Sequence, residues 1–319
     1  MTDVMTRRSA PALADRLKPF SLPLGIVALL LVFALIEPRV ISGANLRNIA
    51  LQTSFLAIFA AAQCVVLLTR GFDLSLGVTV SLVSVGAGMA MTSAGVAAGL
   101  AAGCGIALAV GLFNGLLIGA IGINAFVATL GTSYVVMALA STLSGGFPVA
   151  PLPPAFNAIF AQGSLFGIRA AIWVALIVLL AIGLMLRFTT LGRRLYLVGA
   201  SARAATAAGI RPAAVLIAAY AICGLLAGIG ALLLTARTGS GEPNLGGNLT
   251  LESIAAAVVG GAKLTGGEGG ISSALLGALF ITVLSNGMNL VQVDGYIQQV
   301  FLGAIIVLSL ILGRDGARR

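Results

Sequence analysis

Long apolar runs separated by short polar breaks fill the chain almost from end to end. Runs of roughly 17 to 25 residues are each long enough to cross a hydrocarbon core of about 30 Å as a helix. The pattern predicts ten helices, near 20–36, 46–69, 74–92, 95–121, 124–144, 169–187, 213–235, 249–262, 270–290 and 296–312. No stretch alternates polar with apolar in the manner of a barrel strand. The expected fold is an all-α polytopic membrane protein. Its longest polar break, Arg187–Pro212, holds Arg187, Arg193, Arg194, Arg203 and Arg211 with no acidic residue, which places it on the cytoplasmic side by the positive-inside rule.

Orientation follows from the same rule. With ten crossings and both termini cytoplasmic, all 18 Lys and Arg residues fall inside except Arg39, Arg47, Arg169 and Arg237. The implied divisions are a cytoplasmic tail 1–19, a first repeat 20–145, a periplasmic connection 146–168, a second repeat 169–312 that includes a cytoplasmic loop 188–212, and a tail 313–319. Arg7, Arg8, Arg16 and Lys18 ahead of an apolar run have the look of a signal peptide, but Glu37-Pro38-Arg39 follows in place of a small-residue cleavage site. The run is expected to stay as the first membrane helix.

The division into repeats rests on spacing. Leu67-Leu68-Thr69 precedes Arg70 as Leu233-Leu234-Thr235 precedes Arg237, and Asn114-Gly115 stands before Gly131 as Asn286-Gly287 stands before Gly303. The second copy is longer by six residues near GSGEPN. Five helices per copy is an odd number, so the copies would enter the membrane with opposite orientation, an architecture in which the substrate path lies at the repeat interface. The fourth predicted helix carries Gly95, Gly99, Gly103, Ala107, Gly111, Gly115 and Gly119 at every fourth position, a smooth ridge for close helix packing. The eighth segment is short, and its counterpart opens after Gly71; short or glycine-interrupted segments at matching places point to a midplane binding region.

Composition supports this reading. At 59% hydrophobic and 8% charged residues, a soluble domain is excluded. The net charge of +9 sits in loops and tails, so it reports topology and not nucleic-acid binding. Cys64, Cys104 and Cys223 lie inside apolar runs and read as small packing residues without a disulfide.

Few residues carry candidate chemistry. Asp73 opens a helix, either as a cap for its first turn or as a substrate contact. Asn114, Asn286 and Asn289 are amides in apolar runs, where they either join helices or line a path. Glu252 and Asp294 lie near predicted helix ends, and Glu268 is placed to pair with Lys263 across a turn. There is no histidine, no phosphate loop and no dinucleotide-binding turn, and carboxylates deep within spans are scarce. The chain reads as a transport subunit and not an enzyme. Its energy must come from a partner, for which the arginine-rich break is the docking surface.

Three motifs carry a resemblance to a known family. Gly71-Phe72-Asp73-Leu74-Ser75-Leu76-Gly77, Asn124-Ala125-Phe126-Val127-Ala128-Thr129-Leu130-Gly131 and Ile254-Ala255-Ala256-Ala257-Val258-Val259-Gly260-Gly261 with Gly266-Gly267 resemble, in order, signatures of the permease subunits of ribose and xylose type ABC sugar importers of bacteria. The resemblance implies an inner-membrane homodimer or heterodimer of such subunits, two cytoplasmic ATP-binding subunits that use ATP and Mg²⁺, and a periplasmic sugar-binding protein. It implies no cofactor on this chain. It also implies that Gly192, Arg193, Arg194, Gly199, Arg203, Ala204, Ala205, Gly209 and Ile210 couple to the ATPase. The family's usual Glu before the Ala-Ala pair is Arg203 here, and its paired prolines are Asn124-Ala125. Asp73, Ser75, Asn114, Thr129, Asn286 and Asn289 are the expected path residues. The alternatives are a permease for a nucleoside, polyol or autoinducer sugar, and an ATP-independent transporter or facilitator.

Overall fold

A computed structural model describes residues 20–314; the tail charges Arg7, Arg8, Arg16, Lys18, Arg318 and Arg319 lie outside the described residues. In chain order the helices are α1 Ser21–Ile36, α2 Gly43–Leu67, α3 Leu76–Ala94, α4 Val96–Gly119, α5 Ala125–Ser144, the single turn α6 Pro154–Asn157, α7 Ala170–Phe188, α8 Thr190–Ala200, α9 Ala202–Ala207, α10 Pro212–Thr238, α11 Leu249–Val259, α12 Ile271–Leu290 and α13 Gly295–Arg314. Each of the ten predicted segments is helical. Seven of them, α2, α3, α4, α5, α7, α10 and α12, are long and apolar enough to cross a membrane, while α1, α11 and the apolar part of α13 are shorter. The two connecting stretches are more ordered than loops. Residues 146–168 include α6 and one strand of a small hairpin, β1 Ser164–Leu165 with β2 Ile168–Arg169, and residues 188–212 fold into α8 and α9.

Local sequence explains several helix starts. Ser42 accepts the Asn45 N–H at the start of α2, Thr189 accepts the Gly192 N–H for α8, and Ser201 accepts the Ala204 N–H for α9. Asn124 accepts the Phe126 N–H, so the residue that stands in place of the first proline caps α5. Between α1 and α2, Glu37 holds the backbone and guanidinium of Arg39, and this pairing keeps its carboxyl at about 2.

The core is helix α2, buried from Thr53 to Leu67 and flanked by α7, α10, α11 and α12. A second close contact joins α4 to α10. Here the glycine ridge works as its spacing predicts. Gly111 lies against the Tyr220 carbonyl and Gly224 against the Ala107 carbonyl, each too close for a side chain. By contrast, α1, α5 and α7 turn mainly apolar, exposed faces outward, as helices bathed in lipid do.

Candidate functional site

Between α2 and α3 the chain runs non-helically from Leu68 to Ser75, and most of this stretch is buried. Non-helical backbone at such depth needs internal partners for its polar groups, and Gln63 supplies two of them. This fully buried residue of α2 donates from Nε2 to the Asp73 carbonyl at 2.7 Å and accepts the Asp73 N–H at 3.2 Å. Tyr220 of α10 donates to the Phe72 carbonyl at 3.2 Å. The Asp73 carboxylate accepts the Ser75 N–H at 2.8 Å and the Ser75 hydroxyl at 2.6 Å, and Asn114 of α4 donates to Ser75 Oγ at 2.8 Å. Cys223 of α10 faces the other carboxylate oxygen at 3.8 Å. Asp73 therefore closes the turn leading into α3, two residues ahead of the first-turn N–H groups that a standard N-cap would serve. Three expected path residues, Asp73, Ser75 and Asn114, meet here, all buried, and Asn114 Oδ1 has no hydrogen-bond partner.

A second non-helical stretch lies farther along the chain. Residues 239–248, which include the GSGEPN segment, run non-helically alongside α3 before α11 begins. Ser84 accepts the Glu242 N–H at 3.0 Å, Ser81 accepts the Gly246 N–H at 3.0 Å, and Thr250 accepts the Gly77 N–H at 2.9 Å. The starts of α3 and α11 thus touch, with Gly77 against Gly246. Expected as matching short segments, α3 and α11 meet at their starts, a contact that no spacing along the chain announced.

Beyond α11 lies a cavity of about 460 Å³ lined by α2, α10, α11, α12 and α13. Its polar lining includes Gln52, Arg237, Glu252, Ser285, Asn289 and Gln298, and the Arg237 guanidinium stacks over Phe55 at 5.5 Å. Of the expected path residues only Asn289 lines it, held by Gln298 at 3.0 Å. Asn286 is engaged elsewhere: it exchanges two hydrogen bonds with Asn45, at 2.8 and 3.1 Å, and so fastens α12 to the start of α2. Thr129 donates to the carbonyl of Ala125 in its own helix. Both face packing contacts rather than this space. Among the described residues no cluster of three or more His, Cys, Asp and Glu could hold a metal.

The opposite end of the bundle carries α8 and α9. Gly192, Leu195, Val198, Gly199 and Ala205 turn inward, whereas Arg193, Arg194, Arg203, Ala204 and Gly209 are exposed and Ile210 packs on the core. Arg70 joins this pair to the bundle. Its guanidinium donates to the last carbonyls of α8, Gly199 at 2.5 Å and Ala200 at 2.6 Å. The Gly267 N–H bonds to the Leu68 carbonyl at 2.9 Å, and the Tyr196 hydroxyl donates to the Gly269 carbonyl at 2.9 Å. Lys263 and Glu268 pair at 2.6 Å on the same loop.

A family model described as "Branched-chain amino acid transport system / permease component" matches residues 45–310. The ribose import permease protein RbsC of Bacillus subtilis is 33% identical over 302 residues, covering 94% of this chain and 93% of that protein. RbsC of Escherichia coli K12 is 33% identical over 90% of this chain and 92% of its own length. The galactose/methyl galactoside import permease protein MglC of the same strain is 29% identical over 90% and 92%. No solved structure matches. A family match across most of the chain, a helical bundle of apolar spans, and relatives a third identical over nearly their full length agree: this multi-pass membrane protein belongs to the permease-component family of ABC importers.

Proposed function

We propose that this chain is the membrane subunit of an ATP-driven importer that moves a monosaccharide or similar small polar solute by alternating access. The observation that carries the reading is the α8–α9 pair: its inner face is latched to the bundle through Arg70, while its outer face offers Arg193, Arg194 and Arg203 to a partner. In this reading α8–α9 and both termini are cytoplasmic. Two ATP-binding subunits dock there and use ATP and Mg²⁺, a second permease subunit completes the pore, and a periplasmic binding protein delivers the solute.

The packing pattern supports two inverted repeats. Helix α2 packs on α11 and α12 as α10 packs on α3 and α4; α3 packs on α4 and α5 as α11 packs on α12 and α13. The outer helices break the match: α1 lies on α12 and α7 on α2, and α4 touches α5 where α12 and α13 barely meet. The touching starts of α3 and α11 are then the related ends of two interrupted helices, the usual place for a transport pivot. The cavity near Arg237 suits hydroxyl-rich solutes, because amides and a carboxylate accept and donate around a ring while Phe55 offers an apolar face. That the relatives are ribose and galactose import permeases favours a sugar over the amino acids of the family description.

Reconstitution tests this. With its cognate ATPase and binding protein in liposomes, the chain should take up D-ribose or D-galactose only with ATP, and L-leucine should not compete. Replacing Arg193, Arg194 and Arg203 by Glu should remove the copurifying ATPase. Equal flux without ATP would instead make the protein a facilitator.

A further inference from the structure

A second cavity, of about 690 Å³, opens at the arginine-rich end between the last turns of α7, the start of α8 and the start of α12. Its wall is apolar: Leu180, Gly183 and Leu184 of α7 face Ile271 of α12. Its mouth is cationic. Arg187 and Arg193 both line it, and no carboxylate does. The carboxylate nearest in sequence, Glu268, is already engaged by Lys263.

A third feature belongs to α12 itself. Gly270 precedes this 20-residue helix as its N-cap and offers no side chain, so the first-turn N–H groups of Ile271 and Ser272 lack a side-chain acceptor where they border the cavity. A helix start in that condition favours a negative group. Two guanidinium groups and an uncapped helix start beside an apolar slot fit a molecule with a phosphate at one end and hydrocarbon at the other. The slot also continues onto a lipid-facing surface, because Leu176, Ile177, Leu180 and Leu184 are all exposed on the same helix.

We propose that this cleft binds an anionic phospholipid, with its phosphate between Arg187, Arg193 and the start of α12 and an acyl chain along Leu180, Gly183 and Leu184. Basic pockets between membrane helices recognise such headgroups through charge, while the chain contributes by apolar burial. A free phosphate would use the mouth and leave the wall idle, so the two sources are separable by experiment.

The test uses the full-length protein in vesicles of phosphatidylcholine and phosphatidylglycerol, extracted gently and weighed intact by native mass spectrometry. The wild type should retain phosphatidylglycerol in preference to phosphatidylcholine. Arg187→Gln should lower that preference about fivefold, the usual effect of one basic side chain near an anionic lipid. Gly183→Leu should fill the slot, since the nearest atom to a new Cβ there is 4.0 Å away, and should abolish retention of either lipid without unfolding the helix. Arg169→Gln, at the opposite end of α7, should behave as wild type. Equal retention of the two lipids, or a preference unchanged in Arg187→Gln, would overturn the proposal. So would Gly183→Leu retaining phosphatidylglycerol as the wild type does, with inorganic phosphate displacing it from both, which would mark a soluble-anion site that does not use the apolar wall.

Discussion

At the scale of single residues, the centre of the molecule depends on groups that have no water to fall back on. Asp73 accepts two hydrogen bonds from Ser75, and removing it leaves two buried donors unpaired, at about 1–3 kcal/mol each. Asp73→Ala should therefore lower the melting temperature in detergent sharply. Asp73→Asn, which keeps an acceptor oxygen of the same shape, should recover most of the loss. Equal damage from both would show that the charge matters and not the acceptor. The sequence made Asp73 legible because an acidic residue before a helix has few other uses. Gln63 was missed, although the amide deepest in the apolar run 46–69 is the kind of residue that must find a partner. Its partner is the backbone of Asp73, and no side-chain pattern reports a backbone acceptor. Arg70 was read as a topological charge for a similar reason: its targets are two carbonyls about 130 positions away in sequence.

At the scale of elements, spacing was a good guide wherever a helix meets another helix face to face. The four-residue ridge of α4 announced a close neighbour, and α10 is that neighbour. Gly111→Leu should abolish folded yield, because its Cβ would collide with the Tyr220 carbonyl. Gly131→Ala, at a site on α5 with open space, should be neutral within about 0.5 kcal/mol. Fluorescence-detected size-exclusion chromatography would read both. What spacing could not show was the order within breaks: residues 188–212 looked like a loop, yet Thr189 and Ser201 each start a helix there. Arg70→Ala removes the two bonds that hold the end of α8, so the ATPase should still copurify while uptake falls to about a tenth or less, given roughly 1.5–3 kcal/mol for each charged hydrogen bond. Uptake at the wild-type rate would show that the latch carries no motion.

At the scale of the whole molecule, apolar run lengths and basic residues gave the helical segments and an orientation that vesicle labelling can check. In a Cys104→Ala background, Leu197→Cys on α8 and Leu165→Cys in the hairpin are both exposed, whereas Cys64 and Cys223 are fully buried. A membrane-impermeant maleimide should reach Leu197→Cys only in inside-out vesicles and Leu165→Cys only in right-side-out ones. Labelling of both from one side would reverse or break the proposed topology. The cavity near Arg237 was not legible in advance, because its lining comes from five helices and Asn289 and Glu252, the two candidates that reach it, are far from adjacent along the chain. Residues 239–248 carry a further consequence. They are held against α3 by Ser81 and Ser84, with Thr250 just beyond them accepting the Gly77 N–H, and a hydroxyl turns about a single bond to follow a donor that shifts beside it. Each donor along the strip thus keeps its partner through a small displacement, as a cable keeps to its rollers, while the paired backbones of Gly241 and Val149 anchor one end.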